Sequence, residues 1–278
     1  MMKPKTKKKI KARSAFIVKL LIGILFMLPI IIGLLFSFQT ETDLVSYPLK
    51  FFTANPTLEH YISAFTTIPI LHYLKNTLIV CVIAITAQIV FSSLCAYAFV
   101  FFDFKGKEFF WNVVLACMMI PGEVTIITNY VTIQNIGLVN TYPGLFITSM
   151  IGGTSIFMMR QYYKSLPKDF KDAATIDGCG ELGFLFRVAT PLSIPTISSL
   201  AIYLFVHIYN QFFWPLLVAN DDKMRTIQVG ISFLVTSDVT DYGRILAGAM
   251  VTILPSVLIY IFGQDYIIKG MTSGGVKG

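Results

Sequence analysis

Apolar runs long enough to cross a bilayer constrain this chain more than any other feature. A helix needs about 20 predominantly apolar residues to span the hydrocarbon core, at roughly 1.5 Å rise per residue. Six stretches meet that length: 16–38, 77–102, 109–133, 143–163, 196–218 and 245–268. In lipid every backbone polar group must be satisfied internally, so helices are expected. The expected fold class is therefore all-α, a polytopic membrane protein with six transmembrane helices. Composition agrees. Charged residues make up 13% of the chain, against about 25% in soluble domains. Too few charges remain to cover a water-soluble globule, so the apolar surplus faces lipid.

Two stretches are interrupted. Gly152-Gly153-Thr154-Ser155 weakens the fourth, and Pro121, Gly122 and Glu123 lie inside the third. Spanning helices tolerate such breaks where neighbours satisfy the freed backbone groups. The run 16–38 is too long for a signal-peptide core and lacks a small-residue cleavage site, so it reads as a retained span. Residues 1–15 form a basic tail, and 16–278 form one transmembrane domain.

The formal charge is +7, but its placement argues for topology rather than for nucleic acid. Lys3, Lys5, Lys7, Lys8, Lys9, Lys11 and Arg13 immediately precede the first run. Such a flank orients a span and can touch anionic lipid. No aromatic-plus-basic reading surface accompanies it, so no nucleic-acid partner is expected. With six spans and both termini cytoplasmic, 17 of the 22 basic residues fall on the cytoplasmic side. The outer side holds Lys50, Lys75, Lys223, Arg225 and Arg244. This is a clear positive-inside asymmetry. The expected location is a cell membrane, with both termini on its cytoplasmic side.

Catalysis finds little support. Cys81, Cys95 and Cys117 lie in apolar runs and Cys179 in a loop, without metal or redox spacing. His60, His72 and His207 are scattered. No phosphate-binding glycine loop with lysine is present, and no nucleophile sits beside an evident base. No catalytic residue, metal or cofactor is expected.

Three loops stand out. The outer segment 39–76 holds a short helix over 58–65. The outer loop 219–244 carries Asp221, Asp222, Asp238 and Asp241. The inner loop 164–195 carries the most information. Pro167 and Asp169 suit a first helical turn, and Gly178 suits the left-handed position after the last one. They bracket a short helix over 167–177. Phe170, Ala173, Ala174 and Asp177 fall on one side, and Lys168, Lys171 and Thr175 on another. A helix this short is unstable alone and needs a surface. That surface is a partner's groove, entered with Phe170 as anchor and the alanines in close approach, or else the chain's own spans or the membrane. A second apolar segment, 182–189, leads to Pro191 and Pro195.

Asp172-Ala173-Ala174, Asp177-Gly178, and Pro191 thirteen residues beyond that glycine resemble the EAA loop of binding-protein-dependent ABC importers. Arg160-Gln161-Tyr162-Tyr163, Gly137-Leu138-Val139-Asn140-Thr141 and Asn210-Gln211-Phe212-Phe213-Trp214-Pro215-Leu216 resemble the carbohydrate branch of that family. The similarity runs from about residue 50 to the C terminus. Asp172 stands where the family has glutamate, and Thr190 where leucine usually precedes the proline. The resemblance implies a type I ABC importer permease fold whose loop is a cytoplasmic coupling helix. Phe170, Asp172, Ala173, Ala174, Asp177 and Gly178 would engage an ATPase. The implied partners are a second homologous permease, two cytoplasmic ATP-binding subunits and an extracytoplasmic solute-binding protein facing the outer loops. The implied function is ATP-driven import of a sugar or related small polar solute. An importer of glycerol-3-phosphate or glycerophosphodiesters is the nearest alternative. An ion-coupled secondary transporter is a further one, thinly supported by one interior carboxylate.

Gln88, Glu123, Asn129, His207, Asn210 and Gln211 are polar residues inside spans. An intramembrane carboxylate is costly against lipid, so Glu123 is expected to face the bundle interior, a partner or water. There it lines a path or bonds another helix. Asn129, Asn210, Gln211 and Trp214 are the other candidates for a translocation path. Trp214 suits either sugar stacking or an interfacial anchor, and His207 reads as a core hydrogen-bonding residue rather than a proton relay.

Overall fold

The structure, a computed structural model, describes residues 4–235 and 241–273, with side chains over 13–235 and 241–266. Asp238, Lys3 and Lys277 lie outside the described residues, and the side chains of Lys5 to Lys11 and Lys269 outside the described side chains. The described residues are helical without strands.

The helices run α1 (Pro4–Ser37), α2 (Glu59–Thr67), α3 (Ile70–Phe101), α4 (Lys107–Met118), α5 (Gly122–Asn135), α6 (Tyr142–Phe146), α7 (Gly153–Ser165) and α8 (Lys168–Ile176). There follow α9 (Glu181–Phe184), α10 (Ile194–Tyr209), α11 (Phe213–Val218), α12 (Ile227–Ser232) and α13 (Tyr242–Ser273). Arg13–Ser37, Ile70–Phe101 and Tyr242–Tyr266 are long and apolar enough to cross a membrane. Two bent pairs reach that length together. Lys107–Met118 meets Gly122–Asn135 at 99°, and Glu181–Leu192 meets Ile194–Tyr209 at 77°.

The bends have local causes. Proline removes a helical donor, and Pro121 sits extended at ψ 136° between α4 and α5. Before the second bend, the Thr190 N–H reaches the Leu185 carbonyl in a π-helical turn, Leu185–Ala189, just ahead of Pro191. Over 143–163 the chain is not one helix. It is α6, a 3₁₀ turn at Ile147–Ser149, a break at 150–152 and then α7. Glycine weakens a helix interior, and Gly152 begins the break's exit in extended conformation at φ −150°. Where 58–65 was expected, α2 covers Glu59–Thr67. At the N terminus, helix extends back through the basic tail to Pro4.

The chain divides into two compact units, Met1–Ile70 with Ile231–Ile253, and Leu71–Gly230 with Leu254–Gly278. In the first, Gly33 lets α1 approach Met250, whose Cε lies 3.0 Å from where a Cβ would stand. Gln39 donates to the Lys50 carbonyl at 2.7 Å, and the Ser37 and Tyr61 hydroxyls share a 2.8 Å bond. Asp43 accepts from Lys50 and from the Thr53 hydroxyl, both at 2.7 Å. The Lys50 bond, then Thr53, holds the Asp43 carboxyl below its ordinary range. His60 packs where Gly243 has no side chain and lies 3.4 Å from Asp241. Along α1 the apolar side chains from Phe16 to Leu28 are exposed.

In the second unit, Phe99, Trp111 and Ile156 form a buried cluster joining α3, α4 and α7. The Arg160 guanidinium lies 3.8 Å above the Trp111 ring. It is buried, and cation–π attraction strengthens when water is excluded. Asn76 of α3 is fully buried and donates to the Lys223 and Arg225 carbonyls at 2.9 Å. Tyr142 donates to the Asn76 oxygen at 2.7 Å. These bonds tie residues 223–225 to the start of α3.

Candidate functional site

A cavity of about 810 Å³ lies within the second unit. It is built where the helices are interrupted. The 99° bend at Pro121 places Glu123 in the first turn of α5, beside the positive end of that helix. Asn129 follows nearly two turns later, and both line the cavity. The break before α7 brings Ser149, Gly152 and Thr154 to the same wall. Gln88 of α3 reaches it too, donating to the Ser155 hydroxyl at 2.7 Å. A Cβ at Gly152 would stand 2.3 Å from the Gln88 amide nitrogen, so glycine there makes room for that side chain.

The end of α10 supplies a further wall. Tyr203 and His207, one turn apart, lie with rings parallel within 5° and centroids 6.3 Å apart. Asn210 caps α10, donating to the Val206 carbonyl at 2.8 Å and accepting from Gln228 at 3.2 Å. Gln211 donates to the Ser149 hydroxyl at 3.3 Å. Among the described residues the lining holds one carboxylate, Glu123, one imidazole, His207, and no lysine or arginine. Hydroxyls and amides supply most of its polar groups, set among apolar and aromatic side chains. Such groups bond hydroxyls and stack on the C–H faces of a neutral polyol. They offer no counter-charge to an anion.

All five path candidates, Glu123, Asn129, Asn210, Gln211 and Trp214, border this cavity. Trp214 is buried, and its indole N–H donates to the Leu145 carbonyl at 3.2 Å. It thus locks α11 to α6. His207 differs from the core position expected of it, because it is exposed to the cavity rather than enclosed. Tyr203, Ser149 and Thr154 were not singled out by sequence. Of these, Thr154 alone lies in the polar run that weakened the fourth stretch, which was its signal.

The inner loop forms a second constellation. Helix α8 runs Lys168–Ile176, with Pro167 extended at its start and Gly178 left-handed at φ +74° after its end. The Cys179 N–H bonds the Ala174 carbonyl at 2.8 Å and the Gly178 N–H bonds Thr175 at 3.0 Å, which closes the C terminus. Phe170, Asp172, Ala173, Asp177 and Gly178 are exposed. Ala174 is not on that open side but packs inward. Lys171 is also directed inward, with its amine bonded to the Tyr97 hydroxyl at 2.8 Å and to Glu181. Exposed Ile176, Leu182 and Phe186 add apolar surface along the loop. Ile176 is 85% exposed.

Comparison with known proteins places this architecture. Residues 88–272 match the family described as binding-protein-dependent transport system inner membrane component. The arabinooligosaccharides transport system permease protein AraQ of Halalkalibacterium halodurans is 35% identical over 260 residues, covering 92% of this chain and 93% of that protein. The sn-glycerol-3-phosphate transport system permease protein UgpE of Brucella melitensis is 30% identical over 262 residues, covering 91% and 93%. The fold matches a crystal structure of a bacterial ABC transporter involved in the import of the acidic polysaccharide alginate. Its TM-score is 0.83 at 18% identity, over 96% of this chain and 99% of that one. A second structure, of bacterial alginate ABC transporter in complex with alginate pentasaccharide-bound periplasmic protein, matches with TM-score 0.63 at 18% identity. The fold is that of a type I ABC importer permease, and the chain belongs to the family of binding-protein-dependent transport system inner membrane components.

Proposed function

We propose that this chain is one permease subunit of an ABC importer that admits a neutral, hydroxyl-rich solute of the oligosaccharide class. The observation that carries the solute class is the cavity lining, with its amides, hydroxyls and stacked rings, one carboxylate and no cation. The AraQ relatives are named for arabino-oligosaccharides, which fit that chemistry. The UgpE relatives are named for glycerol-3-phosphate. A phosphate brought beside Glu123 would find no lysine or arginine in the lining and would meet the like charge of the carboxylate. The neutral reading is therefore preferred.

The assembly in this proposal holds a second, similar permease, two cytoplasmic ATP-binding subunits and an extracytoplasmic solute-binding protein. A binding protein is present in the complex of one solved relative in fold. The chain crosses the membrane six times with both termini cytoplasmic, supported by the 17-to-5 division of its basic residues. That orientation puts α8 in the cytoplasm. There Phe170, Asp172, Ala173, Asp177 and Gly178 meet the ATPase, while Ala174 seats the helix. Closure of the ATPases on ATP moves α8 and switches a two-state bundle. The exposed α1 lies against lipid or the second permease.

Competition in reconstituted uptake tests the solute class. Labelled arabino-oligosaccharide uptake should saturate, be displaced by unlabelled neutral oligosaccharide and be indifferent to excess glycerol-3-phosphate. Displacement by glycerol-3-phosphate at comparable concentration would refute it.

A further inference from the structure

We propose that Lys171 is the positioning residue through which movement of α8 reaches the cavity, by a cation cage that straps the short helix to α3 and α9, the elements that lead on to the cavity walls. This inference rests on the reading of 168–178 as an ATPase-coupling segment. Among the described side-chain hydrogen bonds, ion pairs and ring contacts of α8, those reaching another helix belong to Lys171. Its amine lies 5.3 Å from the Tyr97 ring centroid, 5.6 Å from Phe101 and 5.0 Å from Phe184. It also bonds the Tyr97 hydroxyl at 2.8 Å and the Glu181 carboxylate, to which Tyr97 itself donates. The Lys171 side chain is 21% exposed. Three rings exclude water from it, so both the ion pair and the ring attraction are screened less than on an open surface.

Each wall of the cage continues into the cavity. Tyr97 lies on α3, nine residues from Gln88, which is about 13.5 Å along an unbroken helix. Tyr163 of α7 packs edge-on to Tyr97 at 6.5 Å, and α7 begins beside Thr154 and the Gln88–Ser155 bond. Glu181 and Phe184 open the bent segment that becomes α10, which carries Tyr203 and His207. The open side of α8 has no such link. A force applied to Phe170 or Ala173 therefore passes inward through Ala174, which only fills space, and Lys171, which can pull as well as push.

The test uses the assembled importer in proteoliposomes, with the four native cysteines replaced and one introduced by Thr154→Cys. Its labelling by a soluble maleimide is measured with and without saturating ATP, beside ATPase co-purification. With Lys171 present, ATP should change the labelling rate about tenfold, the scale of an ordinary coupling energy. Lys171→Met should abolish that change while ATPase co-purification stays intact, and Lys171→Arg should restore most of it. Tyr97→Phe keeps the ring and packing but removes the hydroxyl, and should weaken the response. It decides the question if the methionine variant fails to assemble. An undiminished ATP response in Lys171→Met, or in Tyr97→Phe should only that variant assemble, would overturn the proposal. So would loss of response strictly in step with loss of the ATPase. Ala173→Trp separates the underlying reading. If it leaves ATPase association and ATP response intact, the coupling segment itself is misassigned. If it abolishes both while Lys171→Met changes nothing, only the strap fails.

Discussion

Asn140 stands at φ +57°, a left-handed backbone that costs most side chains roughly 1 kcal/mol or more. Its side-chain oxygen accepts the N–H groups of Asn220 at 2.6 Å and Asp221 at 3.0 Å, and its own N–H reaches the Val218 carbonyl at 2.9 Å. One residue thus holds the exit of α11, next to the cavity wall formed by 210–214. Asn140→Ala loses both acceptor bonds and gains strain, whereas Asn140→Gly loses the bonds alone. Thermal unfolding in detergent should rank wild type above glycine above alanine, with the two variants separated by about 1 kcal/mol. Nearby Gly144 has no room at all, since a Cβ would stand 2.1 Å from the Leu138 carbonyl oxygen. Gly144→Ala should cost about 1–3 kcal/mol, read as a lower melting temperature, while Gly23→Ala, with nothing within 4 Å, should not lower it. Equal melting of the two glycine variants would contradict this packing.

Helix α8 shows what was legible at the level of an element, and what was not. Its ends could be read because capping is local chemistry. Pro167 and Gly178 announce start and stop within a few residues, and the structure places helix between them. Its inward face could not be read. That face depends on Tyr97, 74 residues earlier, and on Glu181, after an intervening turn. Period alone grouped Ala174 with Phe170 and Ala173. The structure buries Ala174 and leaves the other two open. Ala173→Trp should therefore abolish ATPase co-purification with little change in melting temperature. Ala174→Leu should lower the melting temperature first, through overpacking worth about 1–3 kcal/mol. The breaks in the apolar runs were equally visible, at Pro121 and at Gly152-Gly153. Their bend angles were not, because hydrophobicity reports length and depth rather than direction. At the second break, Gly152→Ala would push into the Gln88 amide. Uptake should fall in that variant while ATPase association is retained, as measured on the purified assembly.

At the scale of the whole molecule, two constellations interleaved in sequence do different work in one unit. Residues drawn from 88–154 and 203–214 line a cavity with polar groups in its walls, and 168–178 form a short capped helix with one open side. The all-α membrane class was legible because lipid leaves a chain few alternatives. The cavity was legible only as scattered polar residues, since its walls meet through bends that no local pattern encodes. The proposed function requires that ATP hydrolysed on partner subunits drive a neutral solute through this chain. The most direct measurement is accumulation of labelled arabino-oligosaccharide in proteoliposomes holding the assembled permeases, the ATPase subunits and the binding protein. Accumulation should require ATP on the cytoplasmic face, should vanish when the ATPase subunits are omitted, and should persist when proton and sodium gradients are collapsed. Undiminished accumulation without ATP or without the ATPase subunits, sustained by an ion gradient, would contradict the account.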